Sequence, residues 1–170
     1  MIPGFVISLL TFPGVIVHEM AHLFFCRLYG VEVLKVCYFR FGNPAGYVIH
    51  RSPRKPWHNL IIGIGPFFIN SLLGVLIAFP ITARGKLPDS WQAFAMLWLA
   101  ISIAMHSFPS TGDARSIWAS AWSKGTPILL KLLSIPIVAF IYLLAIGSVV
   151  WLDLAYGVIL TVLLPKWLIK

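Results

Sequence analysis

Charge is what this sequence has least of. Only 11% of its 170 residues are Asp, Glu, Lys or Arg, against roughly 25% in soluble domains, while 59% are hydrophobic. A water-exposed surface cannot be covered from that stock, so a polytopic membrane protein is expected. Acidic residues are scarcest, only five: Glu19, Glu32, Asp89, Asp113 and Asp153. Thirteen Lys and Arg bring the formal charge to +8. They lie mostly between apolar runs, where positive charge sets membrane topology, and nucleic acid is not an expected partner. Two cysteines, Cys26 and Cys37, exclude a disulfide framework and read as free thiols on the cytosolic side. Internal repeats, low-complexity tracts and an appended soluble domain are also lacking. Without a basic n-region or a small-residue cleavage site, the N-terminus reads as a retained helix and not a signal peptide.

What is present is apolar sequence in long runs. A first span is expected over about Pro3 to Tyr29, longer than the roughly 20 residues a bilayer requires, with a bend at Pro13-Gly14. The β-branched and aromatic stretch Val31 to Phe41, the turn cluster Gly42-Asn43-Pro44-Ala45-Gly46 and Tyr47 to His50 predict a β-hairpin. A second span runs from Asn59 to Ile81, with Gly63, Gly65-Pro66 and Asn70 in its first half. A third runs from about Trp91 to Phe108. Beyond it, Ile117, Trp118, Ala121 and Trp122 share a helical face, as in a helix lying at the membrane interface over 116–126. Residues 127–170 predict one long bent helix or two packed as a hairpin, with breaks at Gly147 and Asp153. The expected fold is an all-α polytopic membrane protein of about four or five transmembrane helices, with a small membrane-associated β-hairpin between the first two. It forms a single domain, 1–170, whose catalytic core covers about 1–115.

Charge sets the expected orientation. Lys35, Arg40, Arg51, Arg54 and Lys55 follow the first span; Arg115, Lys124 and Lys131 follow the third; only Arg84 and Lys86 lie between the second and third. The positive-inside rule places the hairpin and the Asp113 segment in the cytosol and the N-terminus outside. Lys166 and Lys170 join the cytosolic side when the tail crosses twice, which favours five spans over four.

Inside the first span lies His18-Glu19-Met20-Ala21-His22, an HExxH motif. On a helix, His18 and His22 share a face, so both imidazoles can bind one Zn²⁺. Glu19 is the candidate general base, the role this residue has in metalloproteases that use the motif. A third ligand must come from elsewhere, because the positions where a third motif histidine would fall are Phe25 and Leu28. By elimination Asp113 is the best candidate: Glu32 lies in the hairpin, Asp89 in the outer connection and Asp153 in the tail. His106 is the competing donor.

These motifs resemble the site-2 protease family of intramembrane zinc metalloproteases. That family carries HExxH in its first core helix, a Gly-Pro and Asn pattern in its second, and Asn-x-x-Pro followed by Leu-Asp-Gly in its third. Here His18-Glu19-x-x-His22 matches in full, Gly65-Pro66 is followed by Asn70, and His106-x-x-Pro109 precedes Gly112-Asp113-Ala114. The last departs by His for Asn, Gly for Leu, Ala for Gly and a shorter interval. The likeness covers about residues 1–115 and is to a divergent, minimal branch without a PDZ or other regulatory domain. It implies a zinc endopeptidase of a prokaryotic cell membrane that hydrolyses peptide bonds in or near transmembrane segments, with Asp113 completing the site. It also implies that Asn70 contacts the unwound substrate backbone, which an edge of the hairpin can hold by strand addition.

Each residue also has a plainer role. Asp113 can cap the helix that follows Ser110, since Ser-Thr-Gly-Asp is capping sequence, and can bind metal at the same time. Asn70 can bond helix to helix. His106 can be a packed residue behind the metal, and His50 and His58 read as interfacial. Rival functions are a metal transporter and a pseudoprotease that binds membrane proteins without cutting them. A di-iron desaturase carries about eight histidines in three boxes; five histidines without a second box argue against it.

Overall fold

The computed structural model describes residues 4–83 and 88–169. Of the positions weighed above, Pro3, Arg84, Lys86 and Lys170 lie outside the described residues. The chain is mostly helical: α1 (Gly4–Leu10), α2 (Phe12–Leu28), α3 (Pro56–Thr82), α4 (Trp91–Met105), α5 (Thr111–Ala121), α6 (Ile128–Gly147), α7 (Leu152–Val158) and α8 (Leu164–Leu168). A two-stranded antiparallel hairpin, β1 (Val33–Cys37) and β2 (Tyr47–His50), sits between α2 and α3.

The break in the first apolar run falls at Thr11, two residues before the Pro13-Gly14 bend expected from sequence. Pro13 is tolerated at the start of α2, where the N–H it lacks would have no intrahelical partner. Thr11 leaves the helix with φ −122° and ψ 30°, and its Oγ1 donates to the Ile7 carbonyl at 2.7 Å. Gly14, in the first turn of α2, lets helix α4 touch the backbone. A Cβ there would lie 1.9 Å from the Ser102 carbonyl oxygen of α4.

In the hairpin, Val33 faces His50 and Cys37 faces Tyr47, with a bulge between Val33 and Lys35. Helix α3 is the central post, packing against α2, α4, α5 and the C-terminal segment. Helix α4 ends at Met105, so His106 is its C-terminal cap and not an interior residue.

Helix α5 departs from expectation. It starts at Thr111, ahead of residue 116, and its apolar residues divide between two faces. Ile117 is 2% exposed and packs with Ala114, Val138 and Ile141, while Trp118 is 42% exposed. The 100° step between neighbouring helical positions rotates Trp118 away from the face that Ile117 buries. Trp118 and Trp122 stack on each other outside, ring centroids 5.0 Å apart.

The C-terminal run divides in two. After α6 a 3₁₀ turn, Ser148–Val150, leads to Trp151 in the left-handed region, φ 66°, and the chain restarts as α7. Helix α6 packs on α5, whereas α7 and the π-helical turn Ile159–Leu163 pack on α4 and α3. Two helical stretches, Pro56–Thr82 and Ile128–Val150, are long and apolar enough to cross a membrane, and α4 is apolar but shorter. Their outer faces remain greasy: Phe68, Leu72 and Leu76 on α3, and Leu129, Leu132, Leu143 and Ile146 on α6, are exposed.

Candidate metal centre

Helix α2 supplies His18, Glu19 and His22, all buried, with the two histidines bonded toward α3 and the end of α4. The helical repeat brings the two imidazoles together, Nε2 to Nε2, at 3.1 Å. Asp113, in the first turn of α5, reaches the same point from across the molecule, with Oδ1 3.4 Å from His22 Nε2. The three ligand atoms lie within 4.8 Å of one another.

Each histidine is held from behind. His18 Nδ1 donates to the His106 carbonyl at 2.7 Å, and His22 Nδ1 donates to the Ile62 carbonyl at 2.9 Å. A carbonyl can only accept, so each Nδ1 carries a proton and each ring turns its Nε2 toward the other. Two imidazole Nε2 atoms 3.1 Å apart, with a carboxylate oxygen 3.4 Å from one of them, are a donor set that a cation between them would satisfy. Two ligands on one tetrahedral Zn²⁺, at about 2.0–2.1 Å each, would stand roughly 3.3 Å apart. The donor set therefore fits zinc in type, and its two closest ligand pairs, 3.1 and 3.4 Å, match that spacing.

Asp113 divides its work between its oxygens. While Oδ1 faces the histidines, Oδ2 accepts from the Ser110 backbone N–H at 2.7 Å and from Ser110 Oγ at 2.6 Å. The Asp113 N–H returns a bond to Ser110 Oγ at 3.2 Å, closing a capping box. Capping and facing the metal point are thus combined in one side chain.

Glu19 lines the same cavity, about 1070 Å³, together with His18, His22 and Asp113. The loop between the strands covers it. A Cβ on Gly46 would lie 2.7 Å from Glu19 Cγ and 3.0 Å from its Oε1, so the glycine sets how closely the loop approaches the carboxylate.

The other sequence candidates are placed differently. The His106 ring turns its Nδ1 to the Ser102 carbonyl, 2.9 Å away, and stays outside the three-ligand group; what reaches His18 is its backbone oxygen. Asn70 is 0% exposed and is not among the residues lining the cavity. Its Nδ2 stands 3.2 Å from each of the Gly14, Ile103 and His106 carbonyls, which is the interhelical role. Asp153, set aside as a tail residue, lines the cavity with Trp151 at the break before α7. Glu32 is engaged with Arg51 at 2.9 Å in the hairpin. The two orienting carbonyls were not found from sequence, because a carbonyl carries no residue-specific mark. Ser110 was legible, three residues before Asp113 in capping order.

A family model, DUF3267, described as "Putative zincin peptidase", matches residues 11–121, which includes every residue of the three-ligand group and Glu19. No curated protein and no solved structure matches the chain.

Proposed function

The chain belongs to the DUF3267 family of zincin peptidases, and on that footing we propose that it is an intramembrane zinc endopeptidase acting in or near transmembrane segments of other proteins. The observation that carries this reading is the place of the three-ligand group. His18, His22 and Asp113 converge beside Glu19 within an almost charge-free helical body whose outer faces are apolar. Groups of this kind are costly at membrane depth unless they bind an ion or do chemistry.

His18, His22 and Asp113 would hold the zinc ion, which when bound supplies Lewis acidity toward a water and the scissile carbonyl. Glu19 accepts the proton of the attacking water and returns it to the departing amine nitrogen. Glu19 lies on the cavity wall with the Asn43–Gly46 loop beside its carboxylate. A helical substrate must unwind locally before its carbonyl can reach this point, since its backbone groups are already paired. The orientation that suits the charges puts the hairpin and the start of α5 toward the cytosol, with Arg115 and the Asn43–Gly46 loop among the residues that line the cavity. The catalytic part is α1 to the start of α5, with α6 to α8 packed around it as supporting helices.

Reconstitution in liposomes with a panel of single-span substrates tests the reading. About one zinc per chain, cleavage by the wild type, and zinc without cleavage for Glu19→Gln are expected. Stoichiometric zinc with no Glu19-dependent cleavage of any substrate would turn the assignment to a binding role, and zinc flux across the liposome would turn it to transport.

A further inference from the structure

Both imidazoles of the candidate metal centre lean on carbonyls that a regular helix would not offer. Ile62 lies inside α3, where its carbonyl would accept the N–H of the residue four positions on. That residue is Pro66, which has none. The Ile62 oxygen is therefore free of its helical donor, and His22 Nδ1 takes it at 2.9 Å. His106 ends α4. Continued helix would satisfy its carbonyl with the Ser110 N–H, but that N–H goes to Asp113 Oδ2 at 2.7 Å, and Pro109 has no N–H with which to close a tighter turn. The freed oxygen receives His18 Nδ1 at 2.7 Å and, from the other side, Asn70 Nδ2 at 3.2 Å.

The side-chain amide of Asn70 is oriented without ambiguity. Three carbonyl oxygens surround one end of it, so that end must be the NH₂ group. The opposite end, Oδ1, is buried with no partner among the described residues. All the hydrogen bonds of this buried amide among the described residues are made by its nitrogen end, to three backbone carbonyls of α2, α4 and the α4 cap.

We infer that Pro66 and Asn70, one helical turn apart on α3, are a pair of positioning residues for the metal: Pro66 frees the carbonyl that orients His22, and Asn70 holds the carbonyl that orients His18. Neither touches the metal point. Together they make α3 the element that sets the tautomer and ring angle of both ligands on α2. Partners of this kind change metal affinity by about 10–100-fold when lost. The inference rests on the zinc reading of His18, His22 and Asp113.

The test uses the full chain in lipid nanodiscs, with zinc affinity measured by competition against a chromogenic chelator. Histidine tautomers are read by long-range ¹H–¹⁵N correlation on the metal-free protein. Pro66→Ala and Asn70→Ser are each expected to weaken zinc at least tenfold. Pro80→Ala, which restores an N–H in the same helix far from the ligands, is expected to stay within about twofold of wild type. The tautomer signals add a selectivity that general damage would not produce: Pro66→Ala moves the His22 Nδ1–H resonance and spares His18, and Asn70→Ser does the reverse. Wild-type affinity in both variants overturns the inference alone. So does an equal loss in all three variants with both histidines perturbed alike. Absence of zinc binding by the wild type would remove the metal reading itself, and this inference with it.

Discussion

Asp113 holds two positions that usually fall to different side chains, and the division is by oxygen atom. One oxygen closes the cap of α5 and the other faces the histidines, so the helix start fixes the ligand and the ligand fixes the helix start. Removing the carboxylate charge while keeping its shape separates the two. Asp113→Asn is expected to lose zinc by about 100-fold or more, because an amide is a poor ligand and its nitrogen cannot accept. Ser110→Ala is expected to cost about 1 kcal/mol of stability through the lost cap and about tenfold in zinc affinity through a less oriented carboxylate. Thermal melts and zinc titration on the two variants check both numbers; unchanged affinity in Ser110→Ala would show that the cap does not orient the ligand. The legibility of this site at residue scale is uneven. His18, Glu19 and His22 are four positions apart at most and could be read directly. Asp113 could be reached by eliminating the other acids, yet the same elimination passed over Asp153, which lines the cavity.

At the scale of elements, the geometry depends on two close approaches that glycine permits. The α2–α4 contact at Gly14 leaves no room for a side chain, with the Ser102 carbonyl oxygen 1.9 Å from where a Cβ would be. Gly14→Leu is expected to separate the helices and cost at least about 1–3 kcal/mol, the usual penalty of overpacking, seen as a lower melting temperature and loss of zinc together. The hairpin loop is different, because the close approach that Gly46 permits is to the base, Glu19. Gly46→Val is expected to leave zinc affinity near wild type while displacing the Glu19 carboxylate, and to lower kcat by up to about 100-fold. A parallel loss of zinc would show that the loop supports the ligands and not the base. The hairpin itself was readable from its β-branched residues and turn cluster, and its register places Cys37 opposite Tyr47 next to that loop. That its loop would fold back over Glu19 was not readable, because nothing in a turn sequence says which way the hairpin leans.

For the whole molecule, the apolar outer faces of α3 and α6 and the distribution of Lys and Arg put the proposed orientation within reach of a direct test. In a Cys37→Ser background, Lys124→Cys is expected to react with a membrane-impermeant maleimide only after permeabilisation, and Asp89→Cys in intact cells. Labelling of both without permeabilisation would overturn the orientation. Held as proposed by His18 and His22 of α2 and Asp113 of α5, zinc would link two distant parts of the chain and so stabilise the whole. At a free concentration 100 times its Kd the expected gain is about 2.7 kcal/mol, removed by a chelator and measured as a fall in melting temperature.

Local order in the chain was enough to determine its mostly helical character, the hairpin, the pair of histidines with their intervening glutamate, and the apolar runs. All of these depend on neighbours within a few positions, through helical period, turn residues and mean apolarity. Tertiary structure decided the rest: Asp113 meeting His22 from 91 positions away, carbonyls freed by proline or by a helix end turning both imidazoles, and Asn70 buried between helices instead of facing the cavity. Those outcomes follow from how close helices can pack and which backbone groups are left unpaired when they do. No spacing within a single segment encodes either.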